Sequence, residues 1–526
     1  MSARLGMLGA VDVVTFDWVA LAPALAPAAA AVLLLVLDAL VPLGPAGPLK
    51  GRGHRIAEAI AALGLAAGAG AALAFLPVSI AAVVVGGAGP RDWGDAAVRT
   101  LCLPAPDGAC LWTAGRGAST LQAAILGAAL VALVLLPRVG GVVPIVLLLT
   151  SATGGTMVAA SNDLGSWLVG LELATIPVVA LVALRGSRAA GHGALSLLMT
   201  SLVSFALLVL GSALWLTATG DAAFSSDTVE AAWGDEPRRA VLVLAVLVLL
   251  AGVGFKLSLV PFHAWTPQAY ASADLGVTAL LAGASKISAL AALLVVIAPF
   301  GGLVGAATEP SALVWGLSAA AVSSMLLGNL LALRQNDPVR LLAWSTVGQA
   351  GWVVLPLVAL DPAGARAASA YVITYAVATL TTLAAVLAVR ARAGRDAPDE
   401  GGLPAYRGLL RRDPLVGAGL ALALLVLAGL PPGIIGLVTK VVVLTSVVGA
   451  QLWPLAVLAV LAAVLGIAVY LRWFGLLLAR DDTAPDANGQ AGSGRRHRRA
   501  RLVVLAGTAL LVVLSALPQL LLGLLA

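Results

Sequence analysis

Four residues have the type and the setting to hold and release a proton or bind an ion: Glu172, Lys256, Lys286 and Lys440. The two middle ones lie in one stretch, Ala251 to Ala289, AGVGFKLSLVPFHAWTPQAYASADLGVTALLAGASKISA. They flank a proline break at Pro261 and an aromatic knot of Phe262, His263 and Trp265. A lysine at bilayer depth costs about 2.5 to 3.5 kcal/mol even on lenient insertion scales, so two of them a helix apart point to use. The chain has four lysines, Lys50, Lys256, Lys286 and Lys440, and three fall inside apolar runs while arginine carries nearly all of the loop charge. Arginine stays charged, whereas a lysine amine can give up and regain a proton. Protonation chemistry is the reading that choice favours.

The elements that position these groups are membrane helices. Of 526 residues 61% are hydrophobic and 11% charged, against roughly 25% charged in soluble domains. With about 20 apolar residues per crossing, the chain holds about 14 candidate spans. Their approximate limits are 15–41, 56–86, 118–136, 142–161, 163–185, 192–217, 238–262, 274–299, 310–333, 340–360, 367–390, 414–448, 453–479 and 500–525. The second and twelfth are too long for one straight crossing, and the twelfth carries Pro431 and Pro432 and is read as broken. The expected fold is therefore all-α and polytopic. The first run has only Arg4 before it and is read as a retained helix, without the basic start of a cleaved signal.

Loop charge sets the orientation. Loops after odd-numbered spans hold about 20 Lys and Arg and the other side about 7, so both termini are expected outside. The basic loops suit that role better than a nucleic-acid surface. The stretch from Asp481 to Arg499 reads as a flexible cytoplasmic linker, and its RRHRRAR run, Arg495 to Arg501, as a solvated orientation signal or an anionic-lipid contact. Cys102 and Cys110 share one external loop, and pairing and two free thiols are both open. No nucleotide loop, flavin site, metal-ligand cluster or nucleophile arrangement is visible, so no cofactor or metal site is assigned to this chain.

Helical rise places Glu172, nine residues after Asp163, roughly 13 Å into the core. Lys286 lies at a similar depth. Lys256 precedes Pro261, and Lys440 follows the Pro431-Pro432-Gly433 interruption. Broken helices survive at membrane depth only where protein or a wet cavity satisfies the freed backbone groups. Glu172 and Lys256 read as an ion pair, structural or tuning, and Lys440 as functional or snorkelling to an interface. His263 beside Trp265 reads as a proton relay or as support for the break. Asp38 and Asp163 read as structural, Asp163 as an N-cap. The echo between the seventh and twelfth spans suggests two five-helix repeats, spans 4 to 8 and 9 to 13, and an odd number of crossings inverts the second. The expected organisation is 1–140 with three helices and an external loop, repeats at 141–300 and 301–480, a linker at 481–499 and a last helix at 500–526.

The motifs KLSLVPFHAWTPQAY with VTALLAGASK, SNDLGSWLVGLELATIPVVALVAL, VRLLAWSTVGQAGW and GLLRRDPLVGAGLALALLVLAGLPPGIIGLVTK occur in matching order from about Gly141 to Tyr470. In these the chain resembles the antiporter-like proton-channel subunits of respiratory complex I. The resemblance implies 14 helices with two inverted repeats and breaks in spans 7 and 12. It implies proton roles for Glu172, Lys256, Lys286 and Lys440, and support of the breaks by Pro261, His263, Trp265, Pro431 and Pro432. It further implies neighbouring membrane subunits in a bacterial inner membrane, with NADH, FMN, iron-sulfur clusters and quinone held by partners. Lysine at position 440, and no long extension after the last span, point to one branch of the family and away from its sister subunits M and L. The chain departs from the family at His192, Ser196, Gln268 and Gln349, where relay groups are expected, and at the turn Ser272 to Gly276. The sodium-type multisubunit cation/proton antiporters share the fold and remain an alternative, as does a scaffold whose lysines only pair internally.

Overall fold

A computed structural model describes residues 16–44, 47–48, 52–76, 97–102, 110–137, 141–301, 303, 312–392, 402–480 and 494–525. The first spans are α1 (Trp18–Leu40) and α2 (Arg52–Ala74), then a hairpin of β1 (Val98–Cys102) and β2 (Cys110–Ala114), then α3 (Arg116–Leu135). The stretch read as the first repeat, 141–300, holds α4 (Val143–Ala160), α5 (Leu164–Ala183), α6 (Arg188–Thr219), a short α7 (Ser226–Gly234), α8 (Glu236–Leu257), α9 (Trp265–Ser272), α10 (Leu275–Ala282) and α11 (Ala284–Ile297). The stretch read as the second, 301–480, holds α12 (Ala312–Leu333), α13 (Pro338–Val354), α14 (Pro362–Arg392), a single turn α15 (Leu409–Arg412), α16 (Pro414–Ala428), α17 (Ile434–Gly449) and α18 (Trp453–Leu478). The chain ends in α19 (Arg495–Ala516) and α20 (Gln519–Leu525).

Among the described residues thirteen helices are long and apolar enough to cross a membrane, and α16 with α17 adds a fourteenth crossing in two pieces. Among the described residues the strands are confined to the hairpin, whose Cys102 and Cys110 face each other in register and form a disulfide. Of the two readings open from sequence, pairing is the one found. The hairpin lies over the start of α5: Asn162 donates from its backbone N–H to Leu111 O at 3.0 Å, and Trp112 Nε1 donates to Ala20 O at 3.0 Å.

Aspartates cap several spans, Asp163 among them as its sequence position suggests. Asp163 accepts from Ser166 N at 2.9 Å, Asp274 from Gly276 N at 3.0 Å and Asp337 from Arg340 N at 2.7 Å. Asp38 is structural too, accepting from Leu43 N at 2.7 Å. Each such cap satisfies a helix-end donor that has no intrahelical partner.

The two breaks are built alike. α8 ends at Ser258 and α16 at Gly429, both left-handed, with φ of 67° and 78°. The next residue then bonds back across the turn, Leu259 N to Gly254 O at 2.8 Å and Leu430 N to Leu425 O at 2.9 Å. This is the closing pattern of a helix C-terminus, and it places Ser258-Leu259-Val260-Pro261 against Gly429-Leu430-Pro431-Pro432. The breaks therefore correspond between the repeats, but the lysines do not: Lys256 precedes its break and Lys440 follows its own. The echo seen in sequence belongs to the helix ends. A third interruption, at Gly283 between α10 and α11, has no proline to announce it.

Leu275–Phe300, which holds α10, α11 and the following turn, and Pro338–Ala359 are the most buried of the described spans. α2, α6 and α19 are the least buried of the described spans. Their outward faces carry Leu63, Leu202, Val203, Leu502 and Leu505, as a lipid-facing surface requires. The last helix starts at Arg495 rather than at residue 500. Residues 495–499 of the expected linker are thus helical, and residues 481–493 lie outside the described residues.

Candidate functional site

Lys256 is the penultimate residue of α8, buried with 5% of its surface exposed. Its Nζ donates to the carbonyl oxygen of Leu171 and to the hydroxyl of Thr175, both on α5. Thr175 Oγ1 itself donates to Leu171 O at 2.7 Å, which closes a three-membered ring of contacts. Leu171 and Thr175 are four apart and share one helix face. Glu172 is turned about 100° away from Leu171, and it meets Lys256 electrostatically without an ion pair within 4.0 Å. The carboxylate is half-buried and lines a groove of about 620 Å³ with Gly165, Val169, Ile176, Pro177 and, from α6, Phe205. The direct ion pair expected from sequence is replaced by coupling at a distance.

Lys286 is more deeply enclosed, at 2% exposure. Its Nζ donates to Lys256 O at 2.6 Å and to Ser258 Oγ at 2.6 Å, and it stands 4.9 Å from the centroid of the Trp265 ring. Ser258 Oγ is in turn 2.6 Å from Thr266 Oγ1. Lys440 repeats the arrangement on the second break. Its Nζ donates to Leu427 O at 2.9 Å and Ala428 O at 2.7 Å, 5.6 Å from the centroid of the Trp352 ring.

In both repeats, then, a lysine amine lies on the terminal carbonyls of a half-helix. Those carbonyls lack partners and carry the negative end of the helix dipole. Two hydrogen bonds to a charged group contribute about 3 to 6 kcal/mol, enough to offset the roughly 2.5 to 3.5 kcal/mol of lysine insertion. The broken helix supplies the acceptors that would make a protonated amine tolerable there.

The remaining candidates divide between support and the region between the lysines. Trp265 is fully buried, donates from Nε1 to Phe255 O at 3.0 Å and forms a wall for Lys286. Pro261, Pro431 and Pro432 lie exposed in the breaks and touch neither lysine by hydrogen bond. His263 packs its ring 5.5 Å from that of Trp344 and has no hydrogen bond to Lys256 or Lys286. His192 is exposed on α6.

Sequence reasoning missed the polar belt on α13, α14 and α18. Gln349 Nε2 donates to Tyr470 OH at 2.7 Å, and its carbonyl oxygen accepts from Tyr371 OH. Ser345 Oγ is 2.5 Å from Tyr470 OH, and Thr346 Oγ1 is 2.8 Å from Tyr375 OH. Tyr371 stacks on Trp352, the wall of Lys440, and Tyr270 meets Trp265, the wall of Lys286. The signal available was composition: of five tyrosines in the chain, Tyr270, Tyr371, Tyr375 and Tyr470 lie here. Thr175, three residues from Glu172, was also within reach.

Replacing Thr175 by valine keeps the shape and removes one acceptor of Lys256. It is expected to cost about 1 to 3 kcal/mol, the penalty of a buried polar group losing its partner. A lowered denaturation temperature of the detergent-solubilised protein measures it, and an unchanged one would mean that the bond contributes nothing.

A fourteen-crossing bundle with lysines on the ends of two matched half-helices defines an antiporter-like membrane subunit. The family described as NADH:quinone oxidoreductase/Mrp antiporter, transmembrane, matches residues 161–466, and the chain belongs to it. Within that family it is 38% identical over 501 residues to NADH-quinone oxidoreductase subunit N of Salinispora tropica, covering 89% of this chain and 87% of that relative. It is 34% identical over 537 residues to subunit N 2 of Streptomyces griseus, covering 96% and 92%. Among solved structures, a chain of respiratory complex I from Thermus thermophilus with bound aureothin matches with a TM-score of 0.74 at 28% identity, over 96% of this chain and 99% of that one. A chain of the Mrp complex from a Dietzia species matches with a TM-score of 0.77 at 20% identity, over 97% and 96%, and shares the fold.

Proposed function

We propose that this chain is the N-type proton-translocating membrane subunit of a bacterial NADH-quinone oxidoreductase, a part of a translocase. Electron transfer from NADH to quinone takes place in partner subunits, which hold the flavin, the iron-sulfur clusters and the quinone site. The observation that carries the reading is the seating of Lys286 and Lys440 on the carbonyl ends of α8 and α16. A proton taken up from the cytoplasm is stored on Lys286, passes sideways to Lys440 and leaves outward. The sideways leg uses the hydroxyls of Tyr270, Tyr375, Tyr371 and Tyr470; in support, Tyr270 meets the Trp265 wall of Lys286, Tyr371 stacks on the Trp352 wall of Lys440, and the Gln349 amide bonds Tyr371 and Tyr470. Glu172 acts on Lys256 through space: the carboxylate nearby favours the protonated amine, and its withdrawal favours release. Both termini face outward, the protein sits in the inner membrane, and the other membrane subunits pack around it.

The deciding experiment purifies the tagged chain in mild detergent and reads NADH-quinone reductase activity together with the co-purifying subunits. Flavin and iron-sulfur subunits with NADH-linked activity are the expected result. Arrival with small membrane subunits and no redox centres would replace this reading with a cation/proton antiporter, and sodium-dependent proton exchange would then be the activity to measure.

A further inference from the structure

The basic run that opens α19 was expected to be solvated, yet three of its arginines reach acids on three other spans. Arg499 grips Glu58 of α2 with two bonds, 2.9 Å and 2.6 Å, and His54 approaches the same carboxylate at 3.3 Å. Arg496 Nη2 donates to Asp274 Oδ2 at 2.8 Å. Arg501 Nη2 lies 3.7 Å from Asp413 Oδ1, and Arg392, at the end of α14, lies 3.8 Å from Asp413 Oδ2. His497, between them, has Nδ1 3.0 Å from Ala388 O of α14. A run serving only to orient the chain has no need of acids placed opposite it.

Two of these acids are the N-caps of the elements that carry the lysine sites. Asp274 caps α10, which leads through the Gly283 interruption to Lys286. Asp413 caps α16, whose last carbonyls hold Lys440, and it is itself buried, at 7% exposure. Each aspartate thus bonds its own helix and faces an arginine of α19. A helix is stiff along its axis. From Asp413 to Ala428 is roughly 22 Å of unbroken helix at 1.5 Å per residue, so a displacement of that cap is delivered to the carbonyls that hold Lys440, whereas Asp274 reaches Lys286 through α10 and the Gly283 interruption.

We propose that the start of α19 is a clamp that fixes the two lysine-bearing spans in a common register, with Arg496 and Arg501 as positioning residues acting through Asp274 and Asp413. The clamp holds both proton sites to one rigid element, so that a movement at one is felt at the other. This rests on the proton-translocation reading above.

The test uses assembled complex in sealed membrane vesicles and measures protons pumped per NADH oxidised, beside the quinone reductase rate and the amount of subunit assembled. In the double variant Asp274→Asn, Asp413→Asn, the amide oxygen still accepts from the helix N–H, so the caps persist while the charge is lost. Protons per NADH are expected to fall about twofold or more, with reductase rate and assembly at wild-type levels. Arg496→Gln should show a smaller fall and Arg496→Lys should restore the ratio. A wild-type ratio in the double variant overturns the proposal. So does a fall in pumping that only follows an equal fall in reductase activity in the assembled complex, which is what a purely structural role gives. If the double variant does not assemble, the contrast between Arg496→Gln and Arg496→Lys decides in the same way. Absence of NADH-driven pumping by the wild-type complex would instead remove the proton-translocation reading itself.

Discussion

Replacing Lys286 by methionine is expected to abolish NADH-driven proton translocation while the subunit remains in its complex. Methionine is unbranched and close to the length of the lysine stem, so the space around α11 stays filled. The substitution removes two hydrogen bonds, to Lys256 O and Ser258 Oγ, and with them a cation buried to 2% exposure. Ser258 keeps its contact with Thr266. Replacing a buried charged group by an apolar one of like volume is often neutral for stability, since the lost bonds and the recovered desolvation nearly cancel. What cannot be replaced is the site on which the proton waits. Proton uptake by inverted vesicles under NADH, normalised to quinone reductase activity, should therefore drop to background. Full pumping would sink the storage role of Lys286.

The second large effect concerns how the twelfth span is folded. Gly436 lies where α17 passes the end of α16, and a Cβ built there would stand 1.9 Å from Val426 O and 2.7 Å from its carbonyl carbon. No rotamer relieves a clash with backbone, so even Gly436→Ala must drive the two half-helices apart. That movement withdraws Lys440 from Leu427 O and Ala428 O and leaves those carbonyls without partners at membrane depth. The expected cost is about 3 kcal/mol or more, from overpacking and lost hydrogen bonds together. It would be seen as loss of the subunit from membranes and from the assembled complex. Gly475 in α18 is the matched control, with nothing within 4 Å of its Cβ position. Gly475→Ala should be neutral or slightly stabilising, by about 0.5 to 1 kcal/mol. Normal assembly of Gly436→Ala would contradict the close crossing.

Much of this architecture was legible in the sequence because it depends on short stretches of chain and on the bilayer. An apolar run of about 20 residues crosses wherever it occurs. Pro431 and Pro432 break the span that holds them, and Asp163 caps the helix it precedes. The burial of Lys256, Lys286 and Lys440 followed from the same local reading of hydropathy.

Other features were out of reach because they depend on how each helix is rotated about its axis and on which helix lies beside it. A one-residue change of face sends Glu172 into a groove while Leu171 and Thr175 receive Lys256, 85 and 81 residues away. Gln349 reads as a missing histidine in the chain, and only the packing of α13, α14 and α18 brings it between Tyr371 and Tyr470. The arginines of α19 read as a solvated run, and only the bundle sets Glu58, Asp274 and Asp413 opposite them. Sequence by itself determined that this chain crosses the membrane about fourteen times with three lysines buried in apolar spans, two of them beside proline breaks. Tertiary structure alone decided what each lysine rests on, because hydropathy and helical rise are local properties, whereas a hydrogen-bond partner is set by lateral packing between segments far apart in the chain.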